Sequence, residues 1–351
     1  MGATLKDVAR EARVSMASVS RAINGTGAVT PEIRTRILEA ASRLHYVPNS
    51  GAQSLMTRRT RMIGVLLPRF HGEFFSELIR GIDAAARARG LHLLVSTAHD
   101  AVAETGDALR AMIGRVDGAL VMLPHVDGRF IRETIHTALP MVLLSTADAD
   151  HTHTSVYVDN YGGACALMRH LIAIGCKRIV HIAGPAENMD AQERLRGYRD
   201  TLAELLPNAP EYLLQGDFNE DSGYKAGQLL LSTSGRPDAV FAANDMMAIG
   251  CMSALLDAGL QLPRDMAVVG FDDIPTAKFV RPPLTTVRVK IADLGARALD
   301  QLAEVIDNPN EVGPHMQTVP AELVIRASCG AAPESRSKEG ARRLGSHLLS
   351  Q

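Results

Sequence analysis

The chain has 351 residues, 46% of them hydrophobic and 22% charged, which describes a globular protein of two or three folding units and excludes a disordered chain. There is enough apolar material for a core without disulfide or metal staples, and no run approaches the roughly 18 apolar residues of a membrane span. The net charge of −2 conceals a split: residues 1–61 carry ten Lys or Arg against four acids, and the remainder 27 against 35. A basic head on an acidic body points to a polyanion-binding module joined to something else. On charge alone, a solvated basic surface with no partner explains the run equally well.

The N-terminal stretch is polar and charged, without the apolar core or cleavage site of a secretory signal. Cys165, Cys176, Cys251 and Cys329 lie far apart without CxxC spacing, the pattern of reduced thiols in a cytoplasm. The head then reads as three short helices. Thr4 and Asp7 have capping-box spacing, and Leu5, Val8, Ala9 and Ala12 recur at helical intervals. After a break at Arg13 and Val14, Ser15 caps a second helix with Val19 and Ile23 inward, closed by the turn residues Asn24–Gly27. Thr30-Pro31 opens a third, whose expected inner face is Ile33, Ile37, Leu38, Ala41 and Leu44. Pro48 and Asn49 break the chain before the short stretch Ser50–Met56.

From residue 62 the rhythm changes. Met62–Leu67 is an apolar run without alternation, as in a strand buried on both faces. A helix over about 74–89 and further strands at Leu91–Ser96, Ala119–Leu123, Met141–Leu144, Ile179–Ala183, Ala239–Ala243 and Ala267–Phe271 follow, with helices between them. This repetition predicts parallel sheets covered by helices. The strands are too many for one small sheet, and the polar stretch Asp148–Thr154 interrupts them, so the expectation is an α/β body of two lobes. The expected division is a helix-turn-helix head at 1–48, a hinge and linker at 49–61, the body at 62–330, and a disordered tail at 331–351.

Two short helices joined by a tight turn suit DNA reading, because a helix fits the major groove and the N-terminal part of the second helix reaches base edges. The outward positions are Met16, Ala17, Ser20 and Arg21. Arg21 suits guanine, and Met16 and Ala17 suit a thymine methyl. Ser15, Asn24 and Thr30 are placed to bond phosphates. A plain three-helix cap has the same outline.

The segments TLKDVAREARVSMASVSRAING, TPEIRTRILEAASRLHYVPN and AQSL closely resemble the LacI/GalR family of bacterial transcriptional regulators. The D-V-A, V-S-x-x-[ST]-V-S-R, Y-x-P-N and A-x-S-L elements occur in order, and the resemblance runs to about Cys329. One departure is Arg13, where the turn often carries Gly. The resemblance implies that Ser50–Met56 is a hinge helix that forms when two subunits meet on DNA, with Leu55 as an apolar wedge in the minor groove. Taken alone, a lone Leu in a polar segment is more often a packing contact, and so short a helix is unstable in isolation.

Two α/β lobes around a cleft also resemble the periplasmic binding-protein fold. Ligands of parallel sheets bind beyond the carboxyl ends of the strands, where Phe74, Phe75, Asp159, Arg194, Phe218, Asn244 and Asp272 all fall. The resemblance places Arg194, Asn244 and Asp272 at family effector contacts, with Phe74, Phe75, Asp159 and Phe218 beside them. Their chemistry suits a polyhydroxylated ligand, a sugar or sugar acid: Arg and Asp grip hydroxyls, Asn donates and accepts, and Phe covers an apolar sugar face. For Asp272 and Asn244 the alternative is a turn or a helix cap, a common fate of Asp and Asn after strands.

His151 and His153 lack a third ligand for a metal, and Gly25-Thr-Gly27 lacks the strand context of a dinucleotide fingerprint. No nucleophile elbow or Walker sequence occurs. The expected protein is therefore no enzyme and carries no cofactor. It is a homodimeric repressor of carbohydrate-utilisation genes, cytoplasmic and without membrane contact, that binds a pseudo-palindromic double-stranded operator and answers to a small effector. No heptad-bearing tail supports a tetramer. The alternatives are a sugar-binding protein without a DNA role and a cytoplasmic sugar-modifying enzyme.

Overall fold

The computed structural model describes residues 3–24, 29–46, 59–69, 71–98, 102–134, 139–233, 235–309 and 313–331. Leu55, the expected hinge helix and nearly all of the expected tail lie outside them. The chain divides into two compact units, Met1–Arg61 and Met62–Gln351. Among the described residues, no helix is long and apolar enough to cross a membrane.

The head holds α1 (Leu5–Glu11), α2 (Met16–Asn24) and α3 (Pro31–Arg43). Each begins where a side chain satisfies an open backbone N–H. Thr4 and Asp7 form a reciprocal capping box on α1, Ser15 Oγ accepts from Ser18 N at 3.1 Å, and Thr30 caps α3 ahead of Pro31. Arg13 takes the left-handed conformation, φ 51°, so the turn between α1 and α2 has the geometry that favours Gly, with an Arg in it. Val8, Ala12, Val19, Ile37 and Ala40 are the sealed centre of this unit. Leu38 is 51% exposed and Ala40 takes the inward place expected of it. The 3.6-residue period from Ile33 and Ile37 passes through 40 and 41 and swings 38 to the surface.

The body is built on two parallel sheets. The first has the order β11-β5-β4-β3-β1-β2, from β1 (Met62–Leu67), β2 (His92–Thr97), β3 (Gly118–Val121), β4 (Met141–Leu144), β5 (Thr154–Val158) and β11 (Met316–Val319). The second has the order β7-β6-β8-β9, from β6 (Ile179–Ala183), β7 (Leu213–Gln215), β8 (Ala239–Ala242) and β9 (Ala267–Val269). Strands β3, β4, β6, β8 and β9 are buried at every residue, which is why their sequences do not alternate. The intervening helices are α4 (Glu73–Ala88), α5 (Val102–Met112), α6 (Gly128–Thr134), α7 (Asn160–Ala173), α8 (Met189–Leu205), α9 (Glu220–Ser232), α10 (Asp245–Asp257) and α11 (Ile291–Asp307). The antiparallel pair β10 (Thr286–Arg288) and β12 (Glu322–Val324) was not expected from the sequence.

The lobes change later in the chain than the polar stretch suggested. Asp148–Thr154 lies within the first lobe, in the short connection between the neighbouring strands β4 and β5. That connection is pinned from inside: Thr146 Oγ1 accepts from Leu123 N at 2.8 Å, and Asp148 accepts from His153 N at 2.8 Å. The chain leaves the first lobe after β5, returns after β10 to form α11 and β11, and leaves again into β12. Three strands of chain therefore join the lobes.

Helices α4 and α11 touch backbone to backbone. A Cβ on Gly81 would lie 1.9 Å from the Ala292 carbonyl oxygen, and one on Gly295 would lie 2.5 Å from that of Leu78. Replacing a helical Gly by Ala ordinarily gains about 1 kcal/mol, whereas overpacking costs about 1–3 kcal/mol. Because the obstacle at Gly81 is backbone, overpacking wins, and Gly81→Ala is expected to lower the urea midpoint with an unchanged denaturant slope.

In the second lobe His181 is fully buried between the rings of Tyr198 and Phe241. Its Nδ1 lies 2.9 Å from the Phe241 carbonyl oxygen. Burial pushes its pKa down to about 3, against the pull of that hydrogen bond and with the help of the Arg194 and Arg199 charges. The unfolded chain takes up a proton as pH falls through about 6.5, while the folded chain refuses it until about 3, so this group removes stability across that window. His181→Phe is expected to flatten the loss of stability between pH 6.5 and 4.5, by about 1.4 kcal/mol per pH unit at most, in urea titrations at each pH.

Candidate functional site

A cavity of about 330 Å³ opens between the two lobes of the body. This is at the small end of the size range of small-molecule sites. The first lobe contributes the turn after β1, the start of α4 and the turn after β3, with Phe74, Phe75, Met122 and His125 among the lining residues. The second lobe contributes the ends of β6, β8 and β9 and the first turns of α8 and α10. The lobes also touch across the cleft. Glu73 accepts from Thr276 N at 2.9 Å and from the Thr276 hydroxyl, and His71 Nε2 lies 3.2 Å from Glu220 Oε2.

Arg194 forms the floor. Its side chain is 5% exposed, and every part of the guanidinium is engaged. Nε donates to Asn160 Oδ1 at 2.8 Å, Nη1 donates to the Ala243 carbonyl at 2.6 Å, and Nη2 lies 3.1 Å from Asp272 Oδ1. The plane rests over the Phe271 ring, 3.9 Å from its centroid, with Phe218 at 5.9 Å, where ring quadrupoles favour a cation. Asn160 in turn donates through Nδ2 to Asp190 Oδ1 at 2.7 Å. The floor is thus a buried chain of Asp190, Asn160, Arg194 and Asp272.

The electrostatics of that chain are unbalanced. Burial raises the Asp272 carboxyl to about 6, against the pull of Arg194 and with a further push from Asp190. Asp190 is raised by burial too, although Arg194, Ser145 and Asn160 hold it down. Asp245, directly behind, is raised well above the ordinary range by burial and by Asp272. Among the described residues, Asp272 Oδ1 accepts no well-directed hydrogen bond: Arg194 is close but off line. A buried acceptor in that state favours an incoming O–H or N–H.

The sequence-expected residues of the body separate into two groups. Phe74, Phe75, Arg194, Phe218, Asn244 and Asp272 all line the cavity. Asn244 is also the cap of α10: Oδ1 accepts from Met247 N at 3.0 Å, and Nδ2 donates to the Phe218 carbonyl at 2.9 Å. That second bond holds Phe218 in a left-handed conformation, φ 69°. Asp159 is not a cavity residue. Its carboxylate caps α7 by accepting from Gly162 N at 2.8 Å. Sequence reasoning missed Asn160, Asn188 and Asp190. Asp190 stands four residues before Arg194 on α8, one turn away on the same face, which is the signal that would have found it.

In the head, Met16, Ala17 and Arg21 are exposed and Ser20 is half-buried, while Val19 and Ala22 on the other side of α2 are buried. Ser15 and Thr30 are exposed caps. Asn24 ends α2. Among the described residues no group of three or more His, Cys, Asp or Glu is arranged to hold a metal ion, and the four cysteines are free thiols.

Residues 4–49 match the family described as bacterial regulatory proteins, lacI family, and residues 168–329 match a periplasmic binding protein-like domain. The chain is 33% identical over 331 residues to catabolite control protein A of Priestia megaterium, covering 93% of this chain and 99% of that one. It is 35% identical over 337 residues to the HTH-type transcriptional repressor PurR of Salmonella newport, covering 94% and 98%. Among solved structures, the Lac repressor dimer bound to operator and the anti-inducer ONPF superposes with a TM-score of 0.84 at 29% identity, covering 94% of this chain and all of that one. The complex of the transcriptional regulator CelR with cellobiose does so at 0.70 and 30%, covering 93% and 99%.

Removing one partner of a buried ion pair costs about 3–5 kcal/mol, because the other charge is left stranded. Arg194→Ala is therefore expected to destabilise the body strongly. Adding Asp272→Asn to it is expected to cost less than Asp272→Asn costs alone, a coupling of about 1–3 kcal/mol. Urea denaturation of the four forms reads that coupling; additive losses would show that the two groups do not act as a pair.

Proposed function

The chain belongs to the lacI family of bacterial regulatory proteins, and from that membership we propose that a sugar or sugar acid, bound on the Arg194 floor, sets the affinity of its head for an operator. The protein is a ligand-responsive, DNA-binding transcriptional repressor and not an enzyme. The observation that carries the effector reading is the Arg194–Asp272 pair in the interlobe cavity, flanked by Phe74, Phe75 and Phe218. Such a floor grips hydroxyls with charge-assisted bonds while aromatic faces cover the apolar side of a sugar ring.

In this reading Met16, Ala17, Ser20 and Arg21 face base edges, and Ser15, Asn24 and Thr30 bond phosphates. Leu55 wedges into the minor groove. Two copies bind a pseudo-palindromic site, because a two-fold protein demands a two-fold sequence. The neighbouring structures support this partner set: one is a repressor dimer on its operator, and others hold cellobiose or ribose. The place of action is the cytoplasm, where DNA and metabolite meet, and the regulated genes serve carbohydrate use. A ligand that bridges the lobes shifts the protein between states that bind DNA well and poorly, in proportion to its differential affinity for them.

The test uses the full chain and fluorescence anisotropy on duplexes selected from a random pool. A dyad-symmetric preference is expected, with log K falling by about 0.9 per neutralised phosphate as log salt rises. Addition of sugars or sugar acids is expected to change operator affinity about 5–150-fold. A response confined to nucleobases would replace the sugar reading, and no preference among duplexes would overturn the assignment of the head residues.

A further inference from the structure

We propose that the cavity takes an uncharged sugar and excludes the corresponding sugar acid, with Asp190 setting the exclusion. This rests on the sugar reading above and narrows it. Three observations carry it.

The first is charge. The buried floor holds one cation, Arg194, and two carboxylates, Asp190 and Asp272, and the rest of the lining adds Arg69 and Glu187, one charge of each sign. The guanidinium is already matched by Asp272 and directed at Asn160 and Ala243. An incoming carboxylate gains no unmatched positive charge there and meets Asp190 and Asp272 in a setting of low dielectric. To admit it, one of the two would first have to take up a proton.

The second concerns the helices. The N-termini of α4, α8 and α10 all border the cavity, through Gly72, Asn188 and Asn244. Helix N-termini ordinarily attract anions. Here each carries its own carboxylate in the first turn: Glu73, Asp190 and Asp245. At α8 the first-turn acid, Asp190, itself lines the cavity, while Glu73 is spent on Thr276 and Asp245 on Thr286 and Ile274.

The third is the direction of the missing hydrogen bonds. Asp272 Oδ1 is buried and accepts none of good geometry, so the floor asks for donors. Asn188, Asn219 and Asn244 add amides to the second-lobe lining, beside the carboxylate of Glu187. A hydroxyl donates and accepts in turn, whereas a carboxylate only accepts.

The experiment is a thermal-shift and calorimetric series on the full chain at pH 7.5. The probes are pairs that share the pyranose ring: D-glucose with D-glucuronate, D-galactose with D-galacturonate, and D-glucuronamide with D-glucuronate. At least one neutral probe is expected to bind, with its acid weaker by tenfold or more. The uronamide is expected to behave as the neutral sugars do, which separates charge from size. Asp190→Asn, nearly isosteric, is expected to narrow the gap by raising the affinity for the acid. An acid that binds as tightly as its neutral partner overturns this inference and leaves the sugar reading intact. Binding by none of the probes, with a nucleobase stabilising the chain, overturns both. A folded Asp190→Asn variant with an unchanged gap removes Asp190 from its role, and if that variant does not fold, the amide and acid pair on the unaltered chain still decides the exclusion.

Discussion

The body is organised around a charge that has been taken out of water. Arg194 is almost wholly buried, and a bare guanidinium in such a place is untenable. Its partners come from three separate points in the chain: Asn160 just after β5, Ala243 at the end of β8, and Asp272 just after β9. To match one charge, the fold must bring two strand ends and the first lobe crossing to the first turns of α8. The cavity floor is the place where they meet. Burial of the cation and construction of the cavity floor are the same event.

The cost of this arrangement is visible in the neighbouring groups. Asp272 and Phe218 hold left-handed backbone conformations, which are unfavourable for residues with a side chain. Asp272 keeps its place because its backbone N–H donates to the Val287 carbonyl at 2.8 Å and its carbonyl accepts from Val289 N at 3.2 Å. That ties the floor to β10, the last strand before the chain returns to the first lobe. A ligand that changes how Asp272 and Arg194 are solvated therefore acts beside a strand joining the two lobes. Rearrangement of a cleft of this kind is a physical route from binding to a global change of state.

The head was legible in the sequence because its structure is local. The cap Thr4 with Asp7, the cap Ser15 and the Thr30-Pro31 start are short-range signals, and each helix begins where they stand. Leu38 shows the limit: hydrophobicity marked it for the core, but the helical period chose Ala40. In the body, strands buried on both faces were also legible, since β1, β4 and β6 have the bounds their apolar runs suggest. The polar stretch before β5 misled, because polarity marks a loop without saying whether the strands on either side share a sheet. The short strands β10, β11 and β12 carried too few residues for any periodicity.

The site divides in the same way. The residue types and their places after strands pointed to Arg194, Asn244 and Asp272, because a parallel sheet puts chemistry at its carboxyl ends whatever the sequence between. Sequence alone thus determined which local elements form, since capping and burial period act over a few residues. It did not separate Asp159, whose oxygen is spent on its own helix, from Asp272, whose oxygen faces the cavity. Nor did it join Asn160 and Asp190 to Arg194, because those contacts arise only when α7 and α8 pack together within the second lobe, about thirty residues apart in the chain. Tertiary structure decided which of several similar carboxylates is a cap, which is a counter-ion and which is left wanting a donor. That choice depends on burial and direction, and neither is written in the order of residues.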